Sequence, residues 1–422
     1  MREDRTRRGL LRNRNYVVLL AGQAVSQVGN AFYPLAIYWF TFSLTRSSRD
    51  LGYLATVISL TALVSMLTGV LVDRWDRRKT MVWADVARAV LAAGLALLAG
   101  FGHLGLIAIF AFALFLGLVG NLFGPAQISL LPNVVGMEEL GAASGLNQGI
   151  SAGAGLVGTS IGGFLMGMFG PATLLGLDAA SFVVSFLSVG FLRLPRSATL
   201  PQGHGREDGR PARRFLGELV EGLRLVYGNG FFLRIALVGA LVNFAFMPLN
   251  VLDVMWVRTV LHLGAFAYGM LGAAVTVGVI AGSVAAGPLM RRVDPVRLML
   301  SSLALTAIAF AAFSRLPYYL PDLAVLVVLG VGIGIVNPVA LTLFQRAIPQ
   351  HLMGRAVGAL LATMQAASPL GAMIAGFLAT ALPLSTVFLL GAALMLATLL
   401  LAFRMPRPLE MPADTVPPAH PQ

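Results

Sequence analysis

The chain is predicted to be an all-α integral membrane protein, with twelve transmembrane helices arranged as two parallel six-helix repeats. Three observations predict this. The 422 residues are 57% hydrophobic and only 11% charged, with a mean hydropathy of +0.82, whereas soluble domains carry about 25% charged residues. The apolar residues fall into charge-free runs long enough for a spanning helix, which needs about 20. Short motifs of the first half also recur in the second half, in the same order and at nearly one offset.

The spans follow in order. Residues 15–45 carry no charge and form span 1, and residues 51–72 form span 2. Span 3 begins near Thr80, with Asp85 and Arg88 in its first turns. The run 89–137 completes span 3, turns near Phe101-Gly102-His103 and forms span 4. Span 5 follows Glu138-Glu139 and runs to about Met168. Gly170-Pro171 marks a turn, and span 6 continues to Leu192 with Asp178 inside it. A polar stretch rich in Pro, Gly and charge, Pro195 to Arg214, separates the halves. Beyond it Phe215, Leu219, Leu223 and Val226 recur at helical spacing, with Glu218, Glu221 and Arg224 off that stripe. That pattern predicts a short helix lying on the membrane surface. Spans 7 to 10 are expected at 230–258, 265–290, 297–314 and 322–345, and the run 356–403 holds spans 11 and 12, divided at Leu382-Pro383. The resulting organisation is a tail at 1–14, a bundle at 15–193, a linker with its surface helix at 194–229, a second bundle at 230–404, and a Pro-rich, disordered tail at 405–422.

Twelve spans put both termini on one side, and charge decides which side. Of the 30 Lys and Arg residues, only Arg46, Arg49, Arg258 and Arg315 fall opposite the N-terminus, with Arg88 inside span 3. The positive-inside rule then makes the termini, the charged hairpins and the linker cytoplasmic. The basic N-terminus lacks a small-residue cleavage site and reads as a tail rather than a signal peptide. The formal net charge of +12 does not imply nucleic acid, because it is not gathered on a soluble face. Cysteine is absent, which excludes disulfides and thiolate metal sites. The five histidines show no ligand spacing, and no Gly-rich phosphate loop of an ATP-driven pump occurs.

The repeat is visible residue by residue. Pro125, Leu130, Gly141, Ala143 and Gly145 align with Pro338, Leu343, Gly354, Ala356 and Gly358, and Gly163-Phe164-Leu165 aligns with Gly376-Phe377-Leu378. Pro34-Leu35 aligns with Pro248-Leu249. The hairpin Gly69-Val70-Leu71-Val72-Asp73-Arg74-Trp75-Asp76-Arg77-Arg78-Lys79 has a weaker copy at Gly287 to Arg297, including Arg291 and Asp294. An even number of spans per repeat makes the copies parallel.

That hairpin, Gly-x-Leu-x-Asp-Arg-x-x-Arg-Arg-Lys, resembles the loop between the second and third helices of major facilitator superfamily transporters, with Asp76 at the place of the usual Gly. Within residues 10–405, Leu10 to Trp39, the Phe123-Gly124-Pro125-Ala126-Gln127 corner and Glu218 to Asn243 resemble the macrolide-efflux and enterobactin-export branch. The resemblance implies alternating access, with gate residues Gly69, Asp73, Arg74, Arg77, Arg78, Arg291 and Asp294. Gly158-Thr159-Ser160-Ile161-Gly162-Gly163 resembles the antiporter motif Gly-Pro-x-x-Gly-Gly, with Thr159 in place of Pro. The resemblance places Gly158, Gly162 and Gly163 between the bundles, with Pro369 and Gly371 as their counterparts.

Intramembrane carboxylates are costly and are functional candidates by default. Asp85, Asp178 and Asp253 lie inside spans, and Asp85 stands i,i+3 from Arg88, which favours a local ion pair. Asp178 and Asp253, with Asp85 and Arg88, are the coupling candidates, since a desolvated carboxylate can carry a proton. Gln23, Gln27 and Asn30 share one face of span 1, where Tyr33 and Tyr38 follow. With Asn147, Gln148, Asn243, Phe246 and Asn250, and aromatic surface from Trp39 and Trp256, they suit a cavity for a bulky amphipathic ligand; packing between helices is the other role open to each. Two departures weaken proton coupling: span 1 carries Asn30 rather than an acid, and residues 104–131 contain no Arg.

The reading is a bacterial inner-membrane secondary transporter exporting a hydrophobic or amphipathic small molecule, drug-like or siderophore-like, by proton antiport. It is expected to act as a monomer without a cofactor, with the bilayer, substrate and protons as its partners. Within transport the alternative is a facilitator or a carrier of lipid-like molecules without proton coupling. A membrane receptor or enzyme is disfavoured, because no polar catalytic cluster lies at either face.

Overall fold

The computed structural model describes residues 10, 12–72, 75–193, 211–348 and 352–403, and all regular structure among them is helical. The helices are α1 (Arg14–Thr45), α2 (Ser48–Val72), α3 (Arg77–Gly100), α4 (Leu106–Val135), α5 (Leu140–Phe169), α6 (Pro171–Gly190), α7 (Pro211–Gly228), α8 (Gly230–Thr259), α9 (Ala265–Arg292), α10 (Pro295–Phe313), α11 (Tyr319–Arg346), α12 (Met353–Ala366), α13 (Ser368–Ala381) and α14 (Leu384–Phe403). Ten segments among them are long and apolar enough to cross a membrane, with α12 and α13 counted as one. Helix α1, at 32 residues, and α2, at 25, also have the length.

Helix starts are set by side-chain caps that satisfy otherwise orphaned backbone donors. Asn13 accepts from the Tyr16 N–H at 3.2 Å, and Asn229 accepts from the Phe231 N–H at 2.9 Å. Asp76 accepts from the Lys79 N–H at 3.0 Å, so α3 begins at Arg77 rather than near Thr80. Asp294 does the same for Val296 and Arg297 at 3.1 and 3.0 Å. The aligned hairpins therefore share one device. Between α5 and α6 the chain turns through Gly170 at φ +80°, a backbone state that only glycine adopts freely, and Pro171 opens α6. Span 11 is not one helix as expected. It divides at Ala367 into α12 and α13, because Pro369 removes a backbone donor and disfavours helix before it. Helix α7 lies where a surface helix is predicted; Val226 is buried and Leu223 half-buried, while the side chains of Phe215 and Glu218 lie outside the described ones.

Helix pairing in the first half repeats in the second. Helix α1 packs on α5 and α6, α2 on α4, and α3 on α4 and α6. Correspondingly α8 packs on α12, α13 and α14, α9 on α11, and α10 on α11 and α14. The principal contacts between halves, α5 with α9 and α2 with α13, exchange with each other under the same correspondence. Two glycine pairs make those crossings. A Cβ on Gly163 would stand 2.7 Å from the Gly269 Cα, and one on Gly376 would stand 2.8 Å from the Gly52 Cα. Gly163 and Gly376 are aligned residues, so both crossings are built the same way.

The chain reverses direction from one spanning segment to the next. We call the face holding the start of α1 and the α2–α3 turn proximal, and the opposite face distal. Both glycine crossings lie near the distal face. There a single apolar core runs through both halves, from Phe32, Leu54 and Leu174 to Leu252, Leu271 and Phe388. Toward the proximal face it divides. One core, with Tyr16, Met81, Leu130 and Ala143, belongs to the first half; another, with Phe232, Leu303, Phe344 and Ala356, belongs to the second. Glycines of α5 and α12 on the proximal side, Gly141, Gly145, Gly149, Gly354 and Gly358, would place a Cβ in open space. The halves therefore share a core only distally; toward the proximal face their cores are separate, although α2 also contacts α12 and α7.

Gly269→Val tests the crossing. Added carbon atoms meet backbone on both sides, so the variant is expected to lose about 1–3 kcal/mol by overpacking, read as a lower thermal midpoint in detergent. Gly145→Val, in open space, is expected to leave that midpoint within about 0.5 kcal/mol of the parent.

Candidate functional site

The distal seam is more than glycine. Arg258, in the last turn of α8, donates from Nη1 to Ser43 Oγ of α1 at 2.6 Å and lies 5.0 Å from the Trp39 ring centroid. Arg49 of α2 stands 5.7 Å from the ring of Phe377 on α13. Trp39 stacks on Tyr268 with centroids 5.8 Å apart, and Tyr53 meets Phe377 edge-on at 5.7 Å. Thr56 Oγ1 donates to the Pro369 carbonyl at 3.2 Å. These contacts join α1 and α2 to α8, α9 and α13 and close the distal side. Pro369 thus serves twice, as helix break and as seam acceptor. The motif glycines divide their work: Gly163 faces the other half, while Gly158 and Gly162 lie against Val28, Ala31, Phe32 and Leu35 of α1. Gly371, the aligned partner of Gly158, lies against Phe244 and Met247 of α8. Only one of the three motif glycines is therefore an interface glycine.

The first half encloses a charge cluster around Arg88. Its Nη1 stands 3.5 Å from Asp85 Oδ1, the expected local pair. Nη2 donates to Asn30 Oδ1 on α1, and the guanidinium lies 3.8 Å from the Phe182 ring centroid on α6. Asp178 of α6 is the second carboxylate acting on Arg88. Gly29 makes room for it, since a Cβ there would stand 3.0 Å from Asp178 Oδ1. Asp85 and Asp178 are both buried; Asp85 lies beside Arg88 and the Ser185 hydroxyl, while Asp178 Oδ1 has no hydrogen-bond partner among the described residues. Arg88 thus pairs directly with Asp85 and acts on the second buried carboxylate, Asp178, through space.

Asp253 is half-buried on α8; its Oδ1 accepts from the Val254 N–H at 2.7 Å. Tyr38 of α1 is its neighbour across the seam, and Tyr268 of α9 is its neighbour within the second half. Tyr33 lies near both Tyr38 and Asp178, with its hydroxyl buried and unpartnered. A fourth carboxylate escaped the sequence reading. Asp322 is buried in the first turn of α11 and accepts from Trp256 Nε1 at 2.9 Å. Trp256 is accordingly a core residue packed on Phe313 and Phe388, not cavity surface. Its indole N–H needed an acceptor, which was the available signal for Asp322.

The polar stripe of α1 is largely consumed inside its own half. Gln23 is buried and points to Ser185 of α6 at 3.5 Å, so it does not line a cavity. Gln27 donates to Ser151 of α5 at 3.3 Å, and Asn30 donates back to Gln27 at 3.3 Å while holding Arg88. Asn243 bonds the Met364 carbonyl at 3.0 Å, tying α8 to α12. Gln148 and Asn250 are exposed, Asn147 is half-exposed, and Phe246 packs 6.3 Å from Phe310.

Of the hairpin residues, Asp73 and Arg74 lie outside the described residues, and Gly69 falls in a part of α2 whose side chains are not described. Arg77 Nη1 donates to the Ser129 carbonyl at 3.1 Å, and Arg78 donates to the C-terminal carbonyls of α6, to Val189 at 3.1 Å and to Gly190. Both arginines thus brace the first half. Arg291 ends α9, where a cation suits the helix dipole, and Asp294 caps α10. Among the described residues no cluster of His, Cys, Asp or Glu could hold a metal ion.

Comparison with known proteins decides the family. The family model described as Major Facilitator Superfamily matches residues 19–372 and 246–420. The chain belongs to the Major Facilitator Superfamily. This superfamily member is 27% identical to the multidrug efflux pump Tap of Mycolicibacterium fortuitum, covering 96% of this chain and 98% of that one. It is 24% identical to macrolide efflux protein A of Streptococcus pyogenes, over 90% and 93% of the two chains. It is 27% identical to the enterobactin exporter EntS of Citrobacter koseri, over 86% and 87%. In fold it matches the nucleoside transporter NupG, with TM-score 0.72, 14% identity and coverage of 93% and 99%. It also matches a bacterial homologue of the iron transporter ferroportin in its inward-facing state, with TM-score 0.72, 16% identity and coverage of 93% and 98%. The molecule is a membrane transporter and not an enzyme.

Arg88→Leu is expected to cost about 3–5 kcal/mol, the penalty for stranding a buried charge partner, and to show as lost expression or a much lower thermal midpoint. Arg88→Leu combined with Asp85→Leu is expected to recover part of that loss. If the double variant is no more stable than the single one, Asp85 is not the charge that Arg88 compensates.

Proposed function

We propose that the protein exports hydrophobic or amphipathic small molecules, drug-like or siderophore-like, across a bacterial inner membrane by alternating access. The observation that carries the reading is a seam closed on one side only, in a chain whose full-length relatives named above are all exporters. The proximal side, which bears the start of α1, the end of α14 and Arg77, Arg78, Lys79, Arg291 and Arg292, is the cytoplasmic one under the positive-inside rule. The described state is then open to the cytoplasm, with 15–193 and 230–404 as its two moving bundles. Substrate enters between the proximal halves of α5 and α12, past Asn147, Gln148 and Asn250. Export follows when the distal seam parts and the charged hairpins close, with Gly69, Asp73, Arg74, Arg77, Arg78, Arg291 and Asp294 at the cytoplasmic gate.

Proton antiport is the coupling this arrangement supports best. Arg88 can balance one of its two buried carboxylates; the other is relieved by a proton. Asp178, with an unpartnered oxygen facing α1, fits that role, and Asp253 fits as a second site in the other bundle, at the seam itself. A proton arriving at Asp253 acts where the bundles must separate. The protein is read as working alone, as a monomer.

The test is transport in proteoliposomes with an imposed pH gradient, using macrolides and other cationic amphiphiles as probes. Asp178→Asn is expected to fall below about one tenth of wild-type gradient-driven export while still binding substrate. Export that persists unchanged after the gradient is dissipated would remove proton antiport and leave the facilitator reading.

A further inference from the structure

Outside the seam and the charge cluster, one feature of the surface resembles a built site. Helices α3 and α4 enclose an open groove of about 520 Å³ at their proximal ends, lined by Trp75, Lys79, Trp83, Ala87, Val119 and Leu122, with Asp76, Thr80 and Ala84 at its edge. Small residues on α3 leave the room. The groove belongs to the outer surface of the bundle: Trp83, Val90 and Leu97 recur every seven residues on α3 and are 70%, 67% and 59% exposed. In a spanning helix such a face meets lipid.

The chemistry of the groove is graded along its length. Lys79 is the single lysine among 30 basic residues. Its neighbours Arg77 and Arg78 turn inward to the carbonyls of α4 and α6, but the Lys79 side chain is exposed and no ion pair of it occurs among the described residues. The Asp76 carboxylate is directed to the α3 N-terminus, where it accepts from the Lys79 N–H at 3.0 Å. Trp75 and Trp83, two of the four tryptophans in the chain, flank the lysine. Amphipathic rings of this kind sit at the headgroup level of a bilayer. Trp83 lies one helical turn below Lys79, about 6 Å along the axis, and beneath it the walls are wholly apolar: Ala87, Val119 and Leu122. A cation at the rim, indole rings at the interface and an apolar trough below match the three parts of a phospholipid.

We infer that the α3–α4 groove is a binding site for an anionic phospholipid of the cytoplasmic leaflet, with its phosphate at Lys79 and an acyl chain along Ala87, Val119 and Leu122. The inference rests on the membrane placement proposed above, but not on the substrate or the coupling ion. Charge decides the lipid class: among the described residues the exposed side-chain charge at the rim with no ion pair, Lys79, is positive, and lysine near a membrane surface favours anionic headgroups.

The test uses the full chain in nanodiscs of phosphatidylcholine containing a minor fraction of brominated phosphatidylglycerol or, separately, brominated phosphatidylcholine. Bromine on the acyl chain quenches nearby tryptophan, and Trp256 is buried away from lipid. Brominated phosphatidylglycerol is expected to quench emission at lower mole fraction than brominated phosphatidylcholine. Lys79→Gln is expected to weaken that preference about fivefold, and Lys79→Arg to retain it. Trp75→Phe with Trp83→Phe is expected to abolish the preferential quenching, which places it in the groove. Equal quenching by the two lipids in the wild type would overturn the site. So would a preference that survives Lys79→Gln, since the overall basic charge of the proximal face then explains it. Gradient-driven export plays no part in the readout, so failure of the transport proposal leaves this result interpretable.

Discussion

Everything in this molecule turns on how closely two pairs of helices approach near the distal face. Gly163 against Gly269, and Gly52 against Gly376, bring backbone to backbone with no side chain between. In lipid no hydrophobic force drives helices together, so close van der Waals packing is what joins them. Only glycine allows it at these four positions. Both contacts lie toward the distal ends of their helices, where the core is common to the two halves; toward the proximal face the cores are separate. On the transport reading proposed above, crossings placed near one face are where a fulcrum for rocking would act.

Around that fulcrum the polar groups are arranged by cost. Arg258 makes its contacts near the distal rim, where water can replace what is lost, and Thr56 holds Pro369 one turn deeper than the Gly52 crossing. Groups buried deeply are bound within one half. Arg88 links α1, α3 and α6, and Trp256 with Asp322 links α8 and α11. Each half is therefore held together as a unit, because parting its own helices would strand a charge in a medium that cannot solvate it. Asp253 is the exception. It stands at the seam beside tyrosines of both halves, which makes it sensitive to the motion itself.

Much of the fold was legible in the sequence because membrane physics is blunt. Charge-free runs, the Gly170-Pro171 turn and the aligned Pro34 and Pro248 reported spans and duplication without reference to packing. The Asp85–Arg88 pair was legible because it is local, i,i+3 on one helix. What could not be read was partnership across helices. The stripe of Gln23, Gln27 and Asn30 said only that these side chains avoid lipid; that Gln23 turns to Ser185 and Asn30 to Arg88 depends on which faces of α3, α5 and α6 arrive beside α1. Gly158, Gly162 and Gly163 looked equivalent, yet a rotation of about 100° per residue sends Gly163 to the other half and Gly162 to α1. Asp322 was hidden by its place at the edge of a span, where a carboxylate reads as a solvated cap. The break at Ala367 was marked by Pro369, which was read for its interface role alone.

The central claim is that one rocking motion opens one side as it closes the other, about the glycine fulcrum. With no native cysteine, paired spin labels report it directly in nanodiscs. One pair replaces the aligned proximal residues Gly141 and Gly354, and the other replaces the aligned distal residues Met168 and Ala381. Across a pH series, with and without a cationic amphiphile, the account expects the proximal distance to shorten as the distal distance lengthens, in fixed proportion. Distances that lengthen together, or a distal distance that stays constant while the proximal one changes, would contradict it.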